Sequence, residues 1–138
     1  MTYDPSNIFA KILRGEIPAH KVFEDDTVLV MMDIFPQSRG HCLVIPKADS
    51  RNLLDADPAV LSAVAPLVQR VARAAKAATG ADGIRIAQFN EASAGQTVFH
   101  LHFHVIPIYE NVALGAHGGG QADTGELADL AKAIAAAL

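Results

Sequence analysis

The stretch VFHLHFHVIP, residues 98–107, sets three histidines at every second position, each between bulky apolar neighbours. In an extended backbone successive side chains point to opposite sides. Phe99, Leu101, Phe103 and Val105 then share one face, and His100, His102 and His104 share the other. Neighbouring histidines on that face stand roughly 6.5 Å apart along the chain, from a rise of ~3.3 Å per residue, so adjacent rings can cooperate. The pattern fits a solvated strand face, or a pair of zinc ligands completed from elsewhere. It also fits an imidazole nucleophile whose second nitrogen is held by an acceptor. Spacing does not choose among the three.

The segments around this stretch predict an α+β arrangement. HKVFED and TVLVMMD, split by Asp25 and Asp26, read as a hairpin; HCLVIP and GIRIAQFN read as two further strands. NIFAKILR reads as a short helix capped by Ser6 and stopped at Gly15. Asp57-Pro58 starts a longer helix that carries Val60, Leu61, Val64, Leu67, Val68, Val71 and Ala75 at helical spacing and stops near Gly80. Pro66 falls on its polar side and predicts a local kink. A last helix begins at Asp123 or Thr124, with Leu127, Leu130, Ala131, Ile134 and Leu138 in one stripe. HGGGQ, residues 117–121, reads as a flexible turn, with a phosphate-cradling role for its glycines as the alternative. Short connections between most strands favour an antiparallel sheet with helices packed on it.

Bulk properties narrow the function. The 138 residues suit one domain with its own core, and 51% apolar content excludes disorder as the main state. A net charge of −4 gives no reason to expect nucleic-acid binding. No apolar run approaches a membrane span, and no secretory leader is evident, so the expected location is cytoplasmic. The single cysteine, Cys42, excludes an internal disulfide and a Cys-rich zinc site. The small and polar residues of AGQT, just before the histidines, suit an ordinary turn or phosphate oxygens. Asp33, at the end of a hydrophobic strand, suits a turn or sugar hydroxyls, and His41 follows Gly40 at the start of another.

Read together, these segments resemble the histidine triad (HIT) superfamily, in its nucleoside phosphoramidase branch of bacterial type. HLHFHVI at residues 100–106 matches the family motif throughout. NIFAKILRGEIPAHKVFEDD, MDIFPQSRGHCLVIPK and AGQTVFHLHFHVIP follow in the family's order. The resemblance implies a HIT-like fold with a five-stranded antiparallel sheet, a homodimer, and a purine nucleotide (AMP-like) ligand. It implies one HIT domain over residues 1–138 with a C-terminal helical extension at about 123–138. By motif position His102 is the nucleophile that forms a covalent nucleotidyl intermediate at the α-phosphate. His104 is expected near the phosphate, His100 supports the ring of His102, and His41 borders the site. Asp33 and Ile34 match the ribose site, Ile8 and Phe9 the walls of the base pocket, and Asn90, Gln96 and Thr97 the phosphate site. No cofactor is implied. The structural zinc of many bacterial relatives is not expected, because Asn7, Ala10 and Asp49 stand at its ligand positions. Two other activities fit the same motifs: dinucleoside polyphosphate hydrolysis, and regulatory nucleotide binding with little turnover.

Overall fold

A computed structural model describes residues 2–116 and 119–138. Five antiparallel strands form one sheet in the order β1-β2-β3-β5-β4. They are β1 (Lys21–Glu24), β2 (Val28–Met32), β3 (Cys42–Pro46), β4 (Gly83–Ala87) and β5 (Phe103–Ile108). Helices α1 (Ile8–Leu13), α2 (Pro58–Thr79) and α3 (Thr124–Ala137) cover it. His117 and Gly118 of the turn expected at 117–121 lie outside the described residues.

The central strands β2 and β3 are buried at every position, because both faces of the sheet are covered. Val30, Cys42, Val44 and Val105 face α2 and α3, whose Val64, Val71, Leu127 and Ile134 complete that core. On the opposite face Leu29, Met31, Leu43 and Ile45 pack against Phe9 and Ile12 of α1. Each large apolar side chain taken from water here contributes roughly 1.5–3 kcal/mol. The apolar stripe of α3 thus joins the same core as the sheet.

The α2 boundaries follow the sequence: the Asp57 side chain accepts from the Ala59 amide, Pro58 opens the helix and Gly80 ends it at φ 71°. The helix runs unbroken through Pro66, which is exposed, so the carbonyl deprived of its partner lies on the wet side. At α1 the cap is Asn7, whose side chain accepts from the Ala10 amide, and not Ser6. Ser6 instead donates to Asp4.

The histidine stretch is only partly a strand. Strand β5 begins only at Phe103, because the ladder with β3 ends at the pair Val44–Phe103. His100 and His102 precede the strand in irregular backbone, anchored by the Leu101 amide donating to the Ser50 carbonyl at 2.9 Å. The predicted alternation holds for Phe103, His104 and Val105, and His102 still shares the side of His104; it fails at Phe99 and His100. Phe99 leaves the core and lies under the Arg51 guanidinium, 4.3 Å from the ring centre. No wet histidine face results: His100, His102 and His104 are all buried, as is His41.

Candidate active site

His104 opposes Leu43 across the β3–β5 ladder, so it projects onto the α1 side of the sheet. There a cleft of about 210 Å³ opens between α1, the end of β2 and the segment that precedes β5. His102 and His104 line it, together with Thr97 and Val98. Ile8, Phe9 and Ile12 of α1 form one wall, and Asp33, Ile34 and Phe35 another. The Phe9 ring meets His102 edge-on at 4.8 Å between centroids.

Hydrogen bonds assign each imidazole its protonated nitrogen. Nδ1 of His102 lies 2.6 Å from the His100 carbonyl, which can only accept, so Nδ1 carries the proton and the lone pair is on Nε2. The Gln37 amide donates to His41 Nδ1 at 3.0 Å, which puts the His41 proton on Nε2. His41 Nε2 then donates to His104 Nδ1 at 2.9 Å, and His104 is left with its proton on Nε2. Two adjacent rings, 5.0 Å apart between centroids, thus end as opposites: His102 with a lone pair, His104 with a proton. A backbone amide at one end and a backbone carbonyl at the other set that polarity.

The side chain of His100 points elsewhere. It bonds Tyr3 and the Pro46 carbonyl, and only its own carbonyl supports His102. Burial holds its pKa below the usual histidine value, which keeps the ring neutral. Asp33 accepts from the Phe35 amide with one oxygen, and its other lies 3.5 Å from His41 Nε2. Donor atoms of Asp33, His41 and His104 come within 4.8 Å of one another, a spacing a divalent ion could use. Among the positions matched to zinc ligands, Asn7 caps α1 and donates to Tyr3. Burial pushes the Cys42 thiol up to about 12, so it is no nucleophile at neutral pH.

Of the residues expected at the site, the cleft gathers Ile8, Phe9, Asp33, Ile34, Thr97, His102 and His104. His41 lies behind His104, and His100 behind His102. Gln96 and Asn90 are not among the residues that line this cleft. The Gln96 amide accepts from Asn52 and from the Glu91 amide, and donates to the carbonyls of Arg51 and Val98. Asn90 exchanges bonds with Gln88 and accepts from the Leu53 amide. Glu91 has a strained φ of 77° and makes a two-pronged pair with Arg51, whose hydrogen bonds lower its carboxyl pKa.

Several participants had no signal in the sequence. The Gln37 amide and the Pro46 carbonyl are backbone groups, and Tyr3 acts from 97 residues away. Phe35 and Ile12 were legible only as apolar residues.

Comparison with known proteins matches residues 14–111 to the HIT domain. The adenylylsulfatase HINT3 of Arabidopsis thaliana is 41% identical over 109 residues, covering 79% of this chain and 55% of that protein. This chain thus spans about half of that relative's length. The crystal structure of a HIT-like protein involved in cell-cycle regulation from Bartonella henselae, with an unknown ligand, superposes with a TM-score of 0.92. It is 53% identical and covers 99% of this chain and 100% of that one. A Zn-bound histidine triad family protein from Mycobacterium smegmatis gives 0.84 at 39% identity, covering 95% of this chain and 94% of that one. No helix among the described residues is long and apolar enough to cross a membrane.

Proposed function

The chain belongs to the HIT domain family, whose members include nucleotide-binding proteins and hydrolases, and from that premise we propose that it cleaves nucleoside phosphoramidates at the α-phosphate through His102. One observation carries the reading: the His100 carbonyl holds the Nδ1 proton of His102, leaving a lone pair on Nε2 in a residue that lines the cleft. Nε2 attacks phosphorus and the Nε2–P bond forms as the P–N bond breaks; His104 gives its Nε2 proton to the departing amine and takes its replacement from water in the same step, so the ring stays neutral. Water then attacks phosphorus, the Nε2–P bond breaks, the nucleoside monophosphate leaves, and the proton the attacking water releases neutralises the hydroxide left by the first step.

Other cleft residues take roles that fit their chemistry. Ile8, Phe9 and Ile34 offer an apolar slot for a purine, Asp33 offers a carboxylate to ribose hydroxyls, and Thr97 a hydroxyl to the phosphate. In this reading the working form is a cytoplasmic homodimer, each chain one HIT domain with a C-terminal helical extension, and no metal takes part in the steps. Adenosine phosphoramidate, followed by acid quench and mass spectrometry, should give one nucleotidyl group on the peptide that contains His102. Undiminished turnover by His102→Ala refutes the mechanism; tight nucleotide binding without turnover points to a regulatory role.

The adenylylsulfatase relative supports a second substrate, an adenylyl sulfate, attacked by the same atom. Sulfate leaves without a proton, whereas an amine requires one. His104→Gln should therefore slow phosphoramidate cleavage far more than adenylyl sulfate cleavage. A dinucleoside polyphosphate assayed beside them tests the remaining hydrolase activity.

A further inference from the structure

We propose that Tyr3 is a positioning residue for the His102 nucleophile, because its hydroxyl locks the ring of His100 and thereby fixes the carbonyl that holds His102. The proposal rests on the reading of His102 as nucleophile.

The hydrogen-bond chain has a single direction. The Pro46 carbonyl can only accept, so the His100 Nε2 atom 2.7 Å from it carries the proton. His100 Nδ1 is then an acceptor, and the Tyr3 hydroxyl, 2.6 Å away, must donate to it. The Tyr3 oxygen in turn accepts from Asn7 Nδ2 at 3.2 Å. Asn7, Tyr3, His100 and Pro46 thus form one polarised series in which each bond strengthens the next. It ties the cap of α1 to the last residue of β3.

His100 needs such an anchor because it stands before the start of β5, where no ladder bonds hold the backbone. The peptide that carries the His100 carbonyl is held at its N–H by the bond from Leu101 to the Ser50 carbonyl, the His100 side chain adds a second tether, and the carbonyl receives the His102 Nδ1 proton at 2.6 Å. The Tyr3 ring also meets the His100 ring edge-on at 5.6 Å between centroids. Burial raises the Tyr3 hydroxyl pKa and lowers that of His100, so one stays a donor and the other a neutral acceptor. Tyr3 is not among the residues lining the cleft, so its influence passes through His100.

Tyr3→Phe keeps the ring and removes the hydroxyl. With adenosine phosphoramidate, kcat should fall about tenfold, the scale seen when an orienting outer partner is lost, while KM stays within about twofold. Long-range proton–nitrogen NMR of the free protein should show His100 and His102 each as a single tautomer, and Tyr3→Phe should make both heterogeneous. Asn7→Asp keeps the helix cap but offers the Tyr3 hydroxyl a competing carboxylate, and should produce the same changes more weakly. Unchanged kcat or unchanged tautomers in Tyr3→Phe overturns the proposal. If the wild-type protein turns over none of the nucleotide substrates, the reading of His102 fails on its own. The NMR result then decides the Tyr3 role: unaltered His102 tautomer overturns it, and heterogeneity supports it.

Discussion

Replacing Gln96 with alanine removes four hydrogen bonds at a residue only 4% exposed. It leaves the Asn52 amide, the Glu91 N–H and the carbonyls of Arg51 and Val98 each one partner short. At a net ~1 kcal/mol per bond the loss is about 4 kcal/mol. A water admitted to the space can serve two to four of these groups and recover part of that, which sets the expected cost at about 2–4 kcal/mol. Against a typical domain stability of 5–15 kcal/mol this is a large fraction. Urea denaturation measures it, as a lower midpoint with an unchanged slope. Gln96→Glu sharpens the test. Its carboxylate would face two carbonyl oxygens, which raises its folded-state pKa above the unfolded value near 4.3. The variant should be most stable below that value and lose stability as pH rises through the folded-state pKa. A cost below about 1 kcal/mol for Gln96→Ala, accompanied by a large fall in turnover, would refute the reasoning and return Gln96 to the phosphate.

Three further outcomes follow from the packing. The depressed pKa of His100 means that the unfolded chain binds a proton the folded chain refuses, so stability should drop as pH falls from about 6.5 through the folded-state value; His100→Asn should flatten that part of the profile in thermal scans. At Gly40, φ is +91° and an added Cβ would stand 2.7 Å from Thr79 Cγ2, so Gly40→Ala should cost at least about 2 kcal/mol. Adding Thr79→Ser, which deletes Cγ2, should restore the part due to the clash, and no recovery would contradict that cause. Ile134→Ala opens a hole in the fully buried stripe of α3 and should cost about 2–5 kcal/mol by urea denaturation; a loss under 1 kcal/mol would mean α3 is not part of the core.

Local pattern served well wherever a segment's own residues decide its state. Asp57, Pro58 and Gly80 bound α2 because cap, ring and left-handed turn act within one helical turn. The strands of the hairpin and β3 were legible for the same reason. Alternation misread Phe99 and His100, since the place where a ladder ends depends on the partner strand 60 residues away. Within the site, motif matching located the cleft histidines and Asp33. It did not give direction: Asn90 and Gln96 have the side chains a phosphate would want, yet their hydrogen bonds go to neighbouring protein groups. Nor can a sequence display the backbone amide of Gln37 or the carbonyl of Pro46 as partners of histidines.

Loop 33–37, which walls the cleft and supplies the amide that orients His41, is tied to chain beyond the family-matched region. Gly115 donates to the Gln37 carbonyl at 2.7 Å and accepts from the Gln37 side chain, and the Ala122 amide donates to the Ile34 carbonyl at 2.9 Å. During synthesis the hairpin and β3 emerge early. Their loop has to wait for some eighty further residues before these three bonds can form. A nascent chain halted before residue 115 therefore lacks the bonds that tie this wall of the cleft to the rest of the fold, although every histidine of the site has already been made.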